Sequence, residues 1–110
     1  MKKELESVYK RAVDVWGIES QMAMMTEEAA ELIQAISKYK RSYNKSDKVK
    51  EDAYEHLCEE VADVENMVNQ MRYMLDEKTI DKYKEEKLER TLEKIIKSEN
   101  ENNSNTGKKF

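Results

Sequence analysis

Two acid pairs carry the residue types and spacing that can do chemistry. Glu28 and Glu31 lie in the run Glu27-Glu28-Ala29-Ala30-Glu31-Leu32, and Glu60 and Asp63 lie in Glu59-Glu60-Val61-Ala62-Asp63-Val64. A spacing of three puts both members of each pair on one side of a helix. Four carboxylates on two facing helices repel one another and lose hydration when partly buried. A hard divalent cation offsets both costs, because Mg²⁺ and Mn²⁺ prefer oxygen ligands. The competing explanation is a solvated acidic helix face paired with lysines one turn away. With 24 Asp and Glu among 110 residues, roughly five such pairs arise by composition alone, so one match says little. Both pairs, however, sit beside an apolar seam, both follow a second acid (Glu27, Glu59), and one loop joins their helices. A short loop makes such helices antiparallel neighbours, so the pairs can converge.

The elements that must position them read as helices throughout. Charged residues make up 40% of the chain, proline is absent, and Gly17 and Gly107 are the two glycines, which is the composition of long uninterrupted helices. A first helix is expected from Lys2 to Trp16, burying Leu5, Val8, Ala12 and Val15/Trp16, with Gly17 as its break. A second, from Glu19 to Lys40, has the seam Met22, Met25, Ala29, Leu32, Ile36 and Tyr39. The stretch from Ser42 to Lys48 is polar and turn-prone. A third helix, from Val49 to Leu75, carries Leu57, Val61, Val64, Val68, Met71 and Leu75. Thr79 is a candidate N-cap for a fourth, from Ile80 to Lys97, with Leu88, Leu92 and Ile95 turned inward. The expected organisation is one all-α domain over residues 1–97 and a disordered polar tail over 98–110.

Composition also excludes several classes. A net charge of −4 without a basic run argues against a nucleic-acid polymer as partner. No stretch approaches the roughly 20 apolar residues of a membrane span. The N-terminal segment MKKELESVYK lacks the apolar run of a signal peptide, so a cytoplasmic location is expected. One cysteine, Cys58, excludes an internal disulfide, and one histidine, His56, excludes an ordinary zinc site.

In combination, these segments resemble the MazG-like all-α nucleoside triphosphate pyrophosphohydrolases. The family's E-x-x-E, a long gap, then E-x-x-D is matched by Glu28/Glu31 and Glu60/Asp63. The segment Trp16-Gly17-Ile18-Glu19-Ser20-Gln21 looks like the family's entry to its first motif helix. EEAAELIQAI resembles that helix, EEVADVENMV its partner, and Lys87-Leu88-Glu89-Arg90 the basic K-x-x-R of the last helix. The resemblance implies a four-helix bundle completed by self-association as a homodimer or homotetramer. It also implies an enzyme that cleaves a nucleoside or deoxynucleoside triphosphate to a monophosphate and pyrophosphate. Glu28, Glu31, Glu60 and Asp63 would hold one or two Mg²⁺ ions, with Mn²⁺ able to substitute. Glu27 or Glu59 would activate water, while Lys87 and Arg90 would pair with phosphate oxygens. Trp16, Gln21 and Gln70 would contact the nucleoside.

Each of these residues also has a plain structural reading. Trp16 at a helix end is a core anchor, Gln21 an exposed helix glutamine, and Gln70 a hydrogen-bonding residue between helices. Lys87 and Arg90 make a solvated face beside Glu86 and Glu93. Cys58 is expected to be buried and inert, and His56 to lie at the surface or behind the carboxylates. The related dUTPase and phosphoribosyl-ATP pyrophosphohydrolase activities are alternatives, as is a non-catalytic helical interaction module.

Overall fold

The protein is described by a computed structural model covering residues 3–106. All regular structure among the described residues is helical. It comprises α1 (Lys3–Trp16), α2 (Ile18–Arg41), a short 3₁₀ turn (Ser42–Asn44), α3 (Asp47–Met74) and α4 (Glu77–Thr106). The chain divides into two compact units, Met1–Leu75 and Asp76–Phe110. No described helix is long and apolar enough to cross a membrane.

Within the first unit, α2 and α3 form an antiparallel hairpin and α1 packs on both. The hairpin closes where the sequence turns polar. Ser46 takes an extended conformation and its hydroxyl accepts a hydrogen bond from the Val49 N–H at 3.3 Å, capping α3. At the other junction Gly17 adopts φ 90°, a left-handed value that glycine reaches without a Cβ clash. That one residue ends α1 and lets α2 start at once, so α1 folds back against the hairpin.

The two seams are rotated from the expected lines. On α2 the buried residues are Gln21 and Ala35, followed by Ser42, with Met25, Glu28 and Leu32 half-buried on the same side. On α3 they are Ala53, Glu60, Met67 and Gln70. The helix interface therefore runs through the acids and the amides, and Ile36, Val61 and Val68 are left exposed. Ala35 and Ala53 let the two backbones approach near the closed end of the hairpin. In α1 only Ala12 is buried, while Leu5, Val8, Val15 and Trp16 are exposed. Trp16 is 64% exposed and so does not anchor a core; it stands at the chain reversal beside Gly17.

The second unit also departs from expectation. Asp76, not Thr79, starts α4: its carboxylate accepts from the Lys78 N–H at 3.2 Å and from the Thr79 hydroxyl at 2.6 Å. Those hydrogen bonds hold the Asp76 pKa below the usual value. Leu88, Leu92 and Ile95 are exposed rather than turned inward, because one helix has no second surface of its own on which to bury a stripe. The helix runs to Thr106, through residues expected in a disordered tail. No glycine or proline occurs between Asp76 and Gly107, and extending an existing helix is far less costly than nucleating one. Residues 107–110 of that expected tail lie outside the described residues.

Two substitutions check the hairpin by chemical denaturation. Ser46→Ala should lower stability by about 1 kcal/mol through loss of the cap. Ala35→Leu should lower it by about 1–3 kcal/mol by forcing the helices apart.

Candidate metal and nucleotide site

The acid pairs meet across the hairpin. Antiparallel packing sets Glu28 opposite Asp63 and Glu31 opposite Glu60, and each facing pair lies within hydrogen-bonding reach. Glu28, Glu60 and Asp63 each place one carboxylate oxygen within 4.8 Å of the others. Glu31 is close enough to raise the pKa of both Glu28 and Glu60. Glu60 is only 6% exposed. One oxygen of Glu28 and one of Glu60, Oε2 in each, are buried without a hydrogen-bond partner. Buried polar atoms are normally satisfied, so two orphaned carboxylate oxygens in one cluster call for a proton shared between carboxyls, a water or a cation.

Electrostatics point the same way. The Glu28 pKa is raised, first by desolvation, then by the charges of Asp63, Glu31 and Glu60. The Glu60 pKa is raised by desolvation and by Glu31 and Asp63, against an opposing contribution from His56. The His56 Nε2 lies 3.9 Å from Glu60 Oε1 and is half-exposed, a weak counter-charge behind the cluster. The donor set is all oxygen and all anionic, which suits Mg²⁺ or Mn²⁺. Among three ligands of one octahedral ion of that size at most one pair is opposite, about 4.2 Å apart, and the adjacent pairs stand about 3 Å apart, so the carboxylates would take up one ion by closing in from the observed spread. The residues present therefore fit such an ion.

Beside the carboxylates lies a cavity of about 420 Å³. Glu28 and Asp63 form one wall, and Leu5, Val8 and Tyr9 of α1 form another. Met24, Asn66, Met67 and Gln70 complete it. The polar groups are held in place by a chain of contacts. Tyr9 donates to Asn66 Oδ1 at 2.8 Å, and Asn69 Nδ2 donates to the Tyr9 hydroxyl at 3.4 Å. Gln70 Nε2 donates to Gln21 Oε1 at 2.6 Å. Gln21, 1% exposed, in turn directs its own amide nitrogen at Met24 Sδ, 3.8 Å away.

The residues singled out in the sequence fall into three groups. Glu28, Glu31, Glu60 and Asp63 come together. Gln21 and Gln70 form a buried amide pair joining α2 to α3, with Gln70 on the cavity wall and Gln21 packed out of contact with solvent. Glu27 and Glu59 are exposed and do not line the cavity, since each is offset by about 100° from its neighbour in the cluster. Trp16 is exposed at the end of α1, and Lys87 and Arg90 are exposed on α4. Cys58, expected to be buried, is exposed. Tyr9, Met24, Asn66 and Met67 escaped the sequence reading. Asn66 and Gln70 do follow Asp63 at steps of three and four, a helical signal that extends the acid line into the cavity wall.

No family model, no curated protein and no solved structure matches the chain.

Raised carboxyl pKa values have a definite consequence for stability. A carboxyl whose folded pKa lies above its unfolded value binds more protons in the folded state over the interval between the two. Stability therefore falls as pH rises through that interval, upward from the ordinary value of 4.5. Without divalent ions, the melting temperature should rise as pH is lowered from 7 toward 5. Saturating Mg²⁺ at pH 7 should restore much of that stability. A flat melting profile with pH, read by circular dichroism, contradicts this account of the cluster.

Proposed function

We propose that this protein is a Mg²⁺-dependent nucleotide pyrophosphohydrolase that cleaves a nucleoside or deoxynucleoside triphosphate to a monophosphate and pyrophosphate. The observation that carries this reading is the convergence of four carboxylates across the hairpin, two of them with orphaned buried oxygens, with Glu28 and Asp63 on the wall of a cavity of nucleoside size. In it Glu28, Glu31, Glu60 and Asp63 hold Mg²⁺ or Mn²⁺, and the ion supplies charge neutralisation for the triphosphate and its leaving group.

The chain's own residues do the positioning. Met24, Met67, Leu5 and Val8 give the cavity apolar walls against which a flat base packs. Tyr9 and Gln21 hold the Asn66 and Gln70 amides in fixed orientations, which leaves the Asn66 side-chain N–H groups and the Gln70 carbonyl to meet base or ribose edges. Glu27 and Glu59, solvated and adjacent to the cluster in sequence, are the candidates for holding and deprotonating water. Lys87 and Arg90 take the phosphate-pairing role on the strength of the K-x-x-R resemblance alone, and Trp16 that of a stacking surface. The reading includes assembly as a homodimer or homotetramer, a cytoplasmic location and a role in nucleotide-pool control. dUTP and phosphoribosyl-ATP are alternative substrates for the same constellation.

A second reading is favoured by the exposed Leu88, Leu92 and Ile95 of α4: a non-catalytic module that binds partner helices. Such a module has no reason to gain stability from a divalent ion.

Pyrophosphate release across a panel of ribo- and deoxyribonucleoside triphosphates, with Mg²⁺ and then Mn²⁺, tests the proposal. Glu60→Gln should reduce kcat/KM by at least roughly 100-fold, the upper end of what outer-shell substitutions cost. The same variant should be at least as stable as wild type without metal at pH 7, because it removes a buried charge. Activity that survives the substitution, or none with any triphosphate, removes the hydrolase reading.

A further inference from the structure

The acid cluster has a pocket on each side of it along the hairpin. Toward the start of α2 lies the cavity described above, with Met24 and Glu28 of α2 and Asp63 and Gln70 of α3. Toward the turn at Ser42–Asn44 lies a second pocket of about 440 Å³, lined by Gln34, Ser37, Lys38 and Arg41 of α2 and by His56 of α3. The order is the same on both helices. Going toward the turn, α2 passes Met24, Glu28 and Glu31, then Lys38 and Arg41; α3 shows Gln70 and Asp63, Glu60, then His56.

The two pockets differ in charge. Acids stand on the wall of the first and none on the wall of the second, where Lys38 and Arg41 supply two cations. Elsewhere in this charge-rich chain exposed lysines pair with acids one turn away, as Lys10 does with Asp14 and Lys48 with Asp52. Lys38 and Arg41 have no acid at those spacings on α2, and among the described residues neither is in an ion pair. His56 joins the pocket to the cluster, its Nε2 lying 3.9 Å from Glu60 Oε1. Glu31 and Lys38, seven residues apart, share one side of α2 and are separated by about 11 Å along its axis. Helical side chains lean toward the helix N-terminus, which for Lys38 and Arg41 is the direction of Glu31.

We infer that this second pocket is the subsite for the terminal phosphates of the triphosphate, with Lys38 and Arg41 as the cations that pair with β- and γ-phosphate oxygens. The nucleoside then lies in the first cavity, and the middle of the phosphate chain lies at the carboxylates and their ion. A polyanion crosses a group of four carboxylates only where a divalent ion neutralises them, and beyond the group it meets fixed cations. Arginine offers a planar fork to two phosphate oxygens, and lysine a movable point charge. Gln34 and Ser37 add neutral donors on the same wall. Such a subsite reads the length of the phosphate chain. A nucleoside monophosphate ends at the carboxylates and reaches neither cation, whereas a triphosphate, or the pyrophosphate released from it, reaches both. The inference rests on the hydrolase reading for the identity of the anion, and it assigns phosphate contacts to the first unit whatever Lys87 and Arg90 add from α4.

Calorimetric titration of inorganic pyrophosphate into the full chain, with Mg²⁺ present, tests it, and triphosphate cleavage is measured on the same samples. Wild type should bind pyrophosphate. Lys38→Gln and Arg41→Gln should each weaken that binding by about 10-fold or more, the loss of one charged hydrogen-bonding group. Both should keep the helical circular dichroism spectrum and the wild-type response of melting temperature to Mg²⁺, which a damaged carboxylate cluster would not. Lys38→Arg should retain most of the binding, and Lys40→Gln, off the pocket wall, all of it. Should Arg41→Gln fail to fold, Lys38→Gln decides. Unchanged affinity in Lys38→Gln and Arg41→Gln overturns the subsite, as does a wild type that binds no pyrophosphate. An equal loss in Lys40→Gln also overturns it, since general charge attraction then accounts for the binding. Triphosphate cleavage by wild type leaves the hydrolase reading standing in each of those cases. Binding that both variants lose supports the subsite even where no triphosphate is cleaved, and that result removes the hydrolase reading alone.

Discussion

Mutual repulsion among four carboxylates in the α2–α3 seam is the constraint on which the first unit depends. Placing Glu60 almost out of solvent, with Asp63 on the same helix and Glu28 and Glu31 across the hairpin, loses hydration and adds like-charge repulsion at the point where the helices are in contact. A fold selected for stability alone would place leucine there. The cost has to be offset by the surroundings. The Ala35 and Ala53 positions, the Gln21–Gln70 pair and the capped turn at Ser46 hold the helices together above and below the acids. Those elements fix the separation of α2 and α3, and the separation fixes how closely the carboxylates approach.

The amides extend the same logic into the cavity. A hydrogen bond of 2.6 Å between two buried glutamines is a directional contact, and it ties α2 to α3 about two turns beyond the acids. Tyr9 does the corresponding work from α1, reaching Asn66 and Asn69. Gly17 makes that reach available, because its positive φ turns the chain within one residue. The cavity is thus bounded by three helices whose relative positions are set by polar contacts, with apolar side chains filling the space between them. In the proposed function, the flat, amide-like edge of a nucleotide would meet these amides and its charged tail would lie beside the carboxylates.

The apolar residues of the hairpin divide into two lines with different fates. Met67 is buried and Leu57 and Val64 are half-buried, whereas Tyr54, Val61 and Val68 are exposed. A helix with apolar residues at both lines can be covered only from two directions. The proposed chemistry lies on the acidic face, and the other apolar line stays exposed. A chain of this composition, with four buried apolar residues among the described residues of its first unit, has a small core from which to draw stability.

Much of this was determined by the sequence alone. The all-helical class followed from the absence of proline and the scarcity of glycine. The break at Gly17 and the turn before Asp47 followed from local backbone chemistry, and the pairing of Glu28/Glu31 with Glu60/Asp63 from helical spacing and a short loop. Only the tertiary structure decided the rotation of each helix. Periodicity showed apolar lines on α2 and α3, but a seven-residue repeat offers two adjacent lines, and packing chose the one containing Gln21, Glu28, Glu60 and Gln70. That choice buried polar residues and exposed Val61, Val68 and Ile36, the reverse of what hydrophobicity by itself predicts. It also determined that Trp16 and Cys58 are exposed, that Asp76 and not Thr79 starts α4, and that the last helix runs on to Thr106. Helix pairing depends on which side chains let two backbones approach, and that is a property of both surfaces together.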